Sequence, residues 1–190
     1  RHFSRGNQQF DRDGRIASRG TAHPVLDKWM FDHSFFAIPV PRTCGREQFG
    51  GQWVESLLRR FASKKIPAAD WIRTATELTA NSIFFAATIF LAPSRRARMP
   101  PIDQLILCGG GAKNQTLVSM LRFYFSLVDE YSHLEFLTTD EFGISTQAKE
   151  GVSFAMLAAA RIDGVPANLP RVTGAKRPVL LGDICDLGLK

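Results

Sequence analysis

The sequence predicts an α/β fold with a parallel sheet, and the order of elements in the second half of the chain carries that prediction. An apolar run at 105–108 meets three glycines and then an amphipathic segment that begins at Asn114. We expect a buried strand, a tight turn and a helix capped by Asn114. A second strand is predicted at 134–138 and a second helix at 146–162, with Ser145 as its N-cap. Strand, helix, strand and helix in this order are typical of parallel pairing.

The first half of the sequence predicts mostly helix. Residues 11–14 favour a tight turn, since Asp-Gly readily adopts positive φ. Apolar spacing predicts helices over 24–36, 53–61 and 67–91. The remaining segments are predicted as an extended run at 38–42, loops at 43–49 and 93–101, an irregular stretch at 166–175, and a short strand or sheet edge at 178–181.

Bulk composition fits one globular unit with a sizeable core. The chain has 190 residues, of which 45% are hydrophobic and 11% aromatic, with a net charge of +6. The arginines are scattered, and no aromatics interleave with the cluster at 95–98, so we interpret it as a solvated basic loop and expect no nucleic-acid partner. The apolar run at 83–92 is too short to cross a bilayer, so no membrane association is expected.

Cysteine and histidine usage favours a cytoplasmic protein without a metal site built from its own side chains. Cys44, Cys108 and Cys185 are far apart, and the sequence opens with no secretory signal, which favours reduced thiols. The four histidines show no metal-ligand spacing. The sequence opens on Arg1 rather than methionine, as a fragment or a processed chain would.

The three glycines at 109–111 suggest a ligand site. Glycine lets the backbone adopt positive φ and lets a ligand approach without interference from a Cβ atom. A helix that begins directly after such a turn offers free N–H groups to a phosphate. The alternative is a flexible turn with no ligand, and the flanking strand and helix favour a nucleotide or phosphate loop over it.

Six stretches of the sequence occur in the order found in one known family. They are 10–14, 39–47, 108–114, 137–145, Lys149-Glu150 and 168–175. Together they resemble the C-terminal half of the anhydro-N-acetylmuramic acid kinases, which belong to the sugar kinase, heat-shock chaperone and actin superfamily. The resemblance implies the C-terminal lobe of an actin-like (ribonuclease H-like) ATPase fold. It implies a crossover and cleft loop at 1–50, helices at 51–92, a nucleotide-side α/β layer at 102–190, and an absent N-terminal lobe.

The resemblance also implies an activity, two cofactors and a set of site residues. The family uses ATP and Mg²⁺ to convert 1,6-anhydro-N-acetylmuramic acid to N-acetylmuramic acid 6-phosphate in peptidoglycan recycling, and it forms homodimers. The nucleotide would lie against Gly109, Gly110, Gly111 and Asn114, and Glu150 would contact the sugar. The alternative for Glu150 is a first-turn carboxylate that stabilises only its own helix.

The catalytic base of the family is not expected in this chain. The family's aspartate and the phosphate loop of its first lobe lie in the N-terminal half, so the base would be upstream of Arg1. Asp11 and Asp13 match a later turn of the family and are not assigned as the base. The chain alone is therefore expected to be inactive.

Four residues of the matched stretches receive no role from the sequence: Arg46, Glu47, Thr139 and Asp140. Thr43-Cys44 stands where the family has Ser-Thr, which removes the second hydroxyl. A different class of function is also open, a truncated homologue that has lost catalysis and keeps nucleotide binding or self-association. A nucleic-acid-binding module is the third and weakest option, and only the net charge favours it.

Overall fold

Helices dominate the chain, and one small parallel sheet accompanies them. The computed structural model describes residues 2–39, 42–90 and 102–185. Its helices are α1 (Pro24–Phe31), α2 (Arg46–Phe49), α3 (Gly51–Arg60), α4 (Ala68–Phe85), α5 (Gly109–Ala112), α6 (Gln115–Ser126), α7 (Lys149–Ile162) and α8 (Pro170–Thr173). Its strands are β1 (Gln104–Leu107) and β2 (Glu135–Thr138).

The two strands confirm the predicted α/β class with parallel pairing. They pair in register from Gln104 opposite Glu135 to Leu107 opposite Thr138, and α6 lies between them in the chain. The prediction that β1 is a buried strand is wrong. Its residues alternate between exposed and half-buried, with Ile106 46% exposed. Leu105, Leu107 and Phe136, on one face of the pair, pack against buried side chains of the helices.

The first hydrophobic cluster joins α1, α3 and the start of α4. Its buried members are Leu26, Met30, Leu57, Phe61, Trp71 and Leu78. The segment before α1 is fastened to α4 by two hydrogen bonds, from the Thr21 amide to Asp70 (2.8 Å) and from the His23 amide to the Thr74 hydroxyl (2.9 Å). These bonds fix the first part of the chain on the N-terminal turns of α4.

The second hydrophobic cluster joins the end of α4 to α6 and the sheet. Its buried members are Ala80, Ala87, Met120, Leu121, Phe125 and Tyr131. Half-buried side chains of β1 and β2, including Leu105, Leu107 and Phe136, pack against it. Because α4 contributes to both clusters, it is the element that connects the two halves of the described structure.

Several other predicted segments differ from the structure. The segment 43–49 contains α2 rather than only loop, and the long helix ends at Phe85 and continues as a π-helical turn, Ala86–Phe90. No strand forms at 178–181 within the described residues, and α8 interrupts the stretch predicted as irregular. The predicted linker at 93–101, with its arginine cluster, lies outside the described residues. No helix in the described ranges has the length and apolar character needed to cross a membrane.

The helix predicted over 146–162 begins later than expected. Helix α7 starts at Lys149, and its N-cap is Ala148 rather than Ser145. The Ser145 carbonyl accepts a hydrogen bond from the Ala148 amide in a turn (2.9 Å). Thr146 lies in that turn, and both its amide and its carbonyl form hydrogen bonds with other segments. These bonds replace the helical hydrogen bonds that the sequence pattern favours.

Candidate functional site

Two of the matched stretches meet at the carboxyl edge of the parallel strands. Leu107 and Thr138, the last residues of the two strands, are directly opposite one another. The glycine turn therefore begins beside the turn at Thr139–Phe142 that follows β2. In open α/β sheets, ligands bind at this edge.

Thr146 ties the glycine turn to the segment that leads into α7. The Gly109 amide donates a hydrogen bond to the Thr146 carbonyl (2.9 Å), and the Thr146 amide donates to Asp140 Oδ1 (3.2 Å). Thr146 is buried, with 6% of its surface exposed. Asp140 thus has a structural role that the sequence did not supply, and Thr146 is a site residue that sequence reasoning missed.

The glycine turn presents an open backbone surface. Gly109 has φ +72°, in the left-handed region that favours glycine. A Cβ atom added at Gly110 would meet nothing within 4 Å, and its φ is not in that region. Neither packing nor backbone conformation within the described chain therefore requires glycine at 110. The first amides of a helix have no intrahelical partner, and Gly110 and Gly111 are both exposed.

Asn114 is the N-cap of α6, as predicted. Its side-chain oxygen accepts a hydrogen bond from the Leu117 amide (3.0 Å). Gly14, the end of the predicted tight turn at 11–14, packs on this cap: an added Cβ would lie 2.1 Å from Asn114 Oδ1. The Thr116 hydroxyl donates to the Gly14 carbonyl (2.8 Å). The turn before α1 is thereby held against the first turn of α6.

The two aspartates of that turn, Asp11 and Asp13, help to form the turn itself. Asp11 accepts hydrogen bonds from the amides of Ile16 (2.8 Å) and Ala17 (2.9 Å). Asp13 adopts φ +57° and precedes Gly14 at φ +74°, which confirms the predicted positive-φ turn. The carboxylate of Asp11 therefore stabilises the loop in which it lies, through its hydrogen bonds to the Ile16 and Ala17 amides.

The turn after β2 contains an unpartnered hydroxyl. Thr139 Oγ1 is buried and has no hydrogen-bond partner in the described part of the chain. Glu141, by contrast, accepts a hydrogen bond from the Thr138 amide (2.7 Å) and so holds the turn. A buried hydroxyl without a partner is unfavourable. The only sequence signal for Thr139 was its place in a matched stretch.

Glu150 is exposed in the first turn of α7. It follows Thr146 closely in the chain, so the backbone bond to Gly109 brings the start of α7 toward the glycine turn. Gly151, the next residue, would also meet nothing within 4 Å if it carried a Cβ atom. The position leaves both assignments of Glu150 open, the sugar contact and the helix-stabilising carboxylate.

The cleft loop of the resemblance lies against a different part of the structure. Arg46 and Glu47 are exposed in α2. Cys44 lines a cavity of about 640 Å³ together with Phe35, Phe49 and other apolar side chains. The structure assigns no chemical role to Arg46 or Glu47.

A second polar cluster lies between α1, α4 and α6. Tyr124 donates a hydrogen bond to Glu77, which also pairs with Arg73 at 3.3 Å. Burial, and then the hydrogen bond to Glu77, raises the pKa of Tyr124 above its usual range. Burial, and then the nearby Glu77 carboxylate, raises the pKa of Asp27. The phenol thus stays protonated at neutral pH and stabilises the Glu77 carboxylate.

The described residues do not supply a dedicated cation site. Across the ranges 2–39, 42–90 and 102–185, no three His, Cys, Asp or Glu side chains come together so as to hold a metal ion. Magnesium in kinases is commonly held by phosphate oxygens and one or two carboxylates. Such a site takes fewer protein ligands than a cluster of three side chains.

Comparison with known proteins gives one consistent result. A model of the family described as anhydro-N-acetylmuramic acid kinase matches residues 2–186. The chain is 36% identical over 184 residues to the anhydro-N-acetylmuramic acid kinase of Acaryochloris marina, covering 96% of this chain and 45% of that protein. It is 33% identical over 184 residues to the kinase of that name from Caldanaerobacter subterraneus, covering 97% and 44%.

A further relative gives the same proportions. The chain is 37% identical over 183 residues to the anhydro-N-acetylmuramic acid kinase of Synechococcus elongatus, covering 96% of this chain and 44% of the relative. The chain spans less than half the length of the curated relatives it matches. The match runs through the glycine turn, the Thr139 turn and the start of α7, and the chain therefore belongs to the anhydro-N-acetylmuramic acid kinase family.

Proposed function

We propose that the chain is the C-terminal, nucleotide-side lobe of an ATP-dependent sugar kinase. The whole kinase would convert 1,6-anhydro-N-acetylmuramic acid to N-acetylmuramic acid 6-phosphate in peptidoglycan recycling. The lobe would be of the actin-like type, with 1–50 as crossover and cleft loop, 51–92 as a helical part and 102–190 as the nucleotide-side layer. Family membership supports the reaction class, and the carboxyl edge of the sheet supports the place of the ligand.

The observation that carries the nucleotide assignment is Gly110. A glycine within a helical turn costs about 0.5–1 kcal/mol relative to alanine. Neither contact nor φ within the described chain accounts for that cost at 110. The close approach of a ligand to the backbone would account for it, and the position of Gly110 at the carboxyl edge of the sheet distinguishes it from Gly51, which is equally free of contacts. A phosphate or ribose oxygen would accept from the Gly110 and Gly111 amides, and we propose that the ligand also reaches the Thr139 hydroxyl in the neighbouring turn.

The other site residues divide by what they would touch. Asn114 would position the loop, because its side-chain oxygen is engaged by the Leu117 amide. Glu150 would accept hydrogen bonds from sugar hydroxyls at the start of α7. ATP supplies the phosphoryl group, and these residues bind and orient it. The base that activates water is expected outside the 190 residues, so the chain alone should not turn over the sugar.

Nucleotide binding is tested by comparing two glycines that share a local setting. Gly110 and Gly51 both lie in the first turn of a helix, and a Cβ atom at either would meet nothing within 4 Å. We expect Gly110→Ala to weaken ATP binding about tenfold, a loss of ~1.4 kcal/mol, and Gly51→Ala to leave it unchanged. Calorimetric titration with ATP measures both, and thermal unfolding should show no destabilisation in either variant. Equal ATP affinity in the two variants would remove Gly110 from the site.

Turnover is tested with the chain joined to the part of a relative that lies outside the match. Phosphorylation of 1,6-anhydro-N-acetylmuramic acid should require the joined protein. Turnover by the 190 residues alone would place the base within them and contradict the proposal. ATP binding without turnover in the joined protein would favour the second candidate, a homologue that has lost catalysis.

The second candidate also includes self-association, which one surface favours. At the end of α4, Phe85 is 41% exposed and Ile89 is 62% exposed, although both belong to an apolar run. A homodimer would cover them. Light scattering of the purified chain measures the dimer, and Ile89→Asp should abolish it. A cytoplasmic location is part of the same proposal and is supported by the free thiols of Cys44, Cys108 and Cys185.

A further inference from the structure

Hydrogen bonds, rather than a buried face, hold the start of α7 in place. None of the residues of α7 is buried, and the helix belongs to neither hydrophobic cluster. The bonds that fasten its approach come from Thr146, which is buried and lies shortly before Lys149. The position of the first turn of α7, where Glu150 lies, therefore depends on the partners of Thr146.

Thr146 has one partner at the end of each strand. Its carbonyl accepts a hydrogen bond from the Gly109 amide at 2.9 Å, in the turn after β1. Its amide donates to Asp140 Oδ1 at 3.2 Å, in the turn after β2. Because the two strands are paired in register, these bonds attach the approach to α7 to two neighbouring turns. The Gly109 bond joins backbone atoms, so the side chain that takes part in this link is that of Asp140.

The backbone of Asp140 is itself fixed within the turn after β2. Its carbonyl accepts a hydrogen bond from the Gly143 amide at 3.1 Å, and the Thr139 carbonyl accepts one from the Ile144 amide at 3.1 Å. Gly143 has φ +78°, which lets the chain reverse at this point. A carboxylate on a backbone held in this way can fix the position of the amide that donates to it.

Removal of the Asp140 carboxylate would leave the Thr146 amide without its acceptor. Thr146 is 6% exposed, so the freed donor would have little access to water. A buried donor without a partner is costly, and bonds to a charged acceptor are stronger than neutral ones. The approach to α7 would therefore shift until the amide found a new partner. Glu150, four residues later in the chain, would shift with it.

We propose that Asp140 is a positioning residue of the sugar site, which acts through Thr146 to set the place of Glu150 relative to the glycine turn. Asp140 itself touches neither the sugar nor the nucleotide. The inference rests on the proposed function, because Glu150 is the proposed sugar contact. An aspartate that only stabilises its turn would lower stability, and its effect would not depend on Glu150.

A double-mutant cycle tests this dependence. The chain is joined to the part of the Acaryochloris marina kinase outside the 184 matched residues, and calorimetric titration gives the Kd for 1,6-anhydro-N-acetylmuramic acid. We expect Asp140→Ala and Glu150→Ala each to raise the Kd about tenfold. The double variant should bind no more weakly than Glu150→Ala alone, since a positioning residue has no effect once the residue that it positions is gone. Additive losses, about a hundredfold together, would overturn the proposal.

Three further variants separate positioning from a general loss of structure. Asp140→Asn keeps a side-chain oxygen that can accept from the Thr146 amide, and its Kd should stay near that of wild type. Asp163→Ala removes an exposed aspartate at the opposite end of α7 and should also leave the Kd unchanged. If Asp140→Ala does not fold, Asp140→Glu replaces it, because glutamate keeps the charge and moves the acceptor by one methylene. Asp140→Glu should raise the Kd severalfold, and wild-type affinity in that variant would overturn the proposal.

The same titrations distinguish failure of this inference from failure of the proposed function. Unchanged affinity in Glu150→Ala would remove the sugar contact and this inference together. Absence of sugar binding in the joined wild-type protein would have the same consequence. Weaker binding in Glu150→Ala with wild-type binding in Asp140→Ala would overturn the positioning role alone and leave the sugar contact standing.

Discussion

The phenol of Tyr124 on α6 donates a hydrogen bond to the carboxylate of Glu77 on α4. This bond crosses the interface between the two helices at the junction of the hydrophobic clusters. Tyr124→Phe leaves one carboxylate oxygen without its donor while the ring packing is kept. We expect a loss of about 1–3 kcal/mol in the free energy of unfolding. Urea denaturation measures it, with Ser126→Ala on the exposed side of α6 as the control. A change of similar size in both variants would mean that the bond contributes nothing specific.

Gly14 should tolerate no side chain. Its φ is +74°, and an added Cβ would lie 2.1 Å from Asn114 Oδ1. Gly6 has φ +88° with nothing within 4 Å, so Gly6→Ala isolates the conformational cost from the clash. We expect about 1 kcal/mol of destabilisation for Gly6→Ala and about 2–4 kcal/mol for Gly14→Ala. Equal losses in urea denaturation would show that the turn does not pack on the cap of α6.

Much of this arrangement was predictable from local sequence. The cap at Asn114, the turn at Asp13-Gly14, and the parallel strands that flank α6 each depend on a few adjacent residues. The contact between Gly14 and Asn114 was not predictable, because it joins residues far apart in the chain. For the same reason, sequence reasoning missed Thr146 as the link to Gly109.

The helix predicted from residue 146 begins later, at Lys149, because of contacts between distant segments. Ser145 is a good N-cap by composition, and the residues after it favour helix. In the structure the backbone of Thr146 bonds to Gly109 and to the Asp140 side chain instead. Tertiary hydrogen bonds of this kind override local preference, and no periodicity in the sequence signals them.

Asp27 should make stability depend on pH. Burial, followed by Glu77, raises its pKa in the folded protein. The folded state then holds the proton longer than the unfolded state, where an aspartate titrates near about pH 4. The stability that this group contributes is present below that pH and is lost as the pH rises through the folded pKa. Asp27→Asn cannot ionise, so the variant should gain stability relative to wild type between pH 3.5 and pH 7, as measured by urea denaturation at about those two values. A difference that is the same at both values would contradict this assignment.

Thr139 should affect stability and ligand binding in opposite directions. Its buried hydroxyl has no partner in the described chain, and valine has nearly the same shape. We expect Thr139→Val to raise the free energy of unfolding by about 1 kcal/mol. If the hydroxyl contacts the nucleotide as proposed, the same variant should bind ATP more weakly. Thr76→Val is the control, since its hydroxyl already donates to the Ile72 carbonyl at 2.8 Å and its loss should not stabilise the protein.

Because α4 contributes side chains to both hydrophobic clusters, it determines how the chain unfolds. Side chains from its first half belong to the cluster around Leu26 and Leu57, and those from its second half belong to the cluster around Leu121 and Phe125. Neither cluster can separate without exposing a face of the same helix, so the two should unfold as one cooperative unit. The amides in the middle of α4 should then be released only by global unfolding, whereas those of α7 should be released by local fraying. The segment with the proposed sugar contact would thus be less protected than the middle of α4.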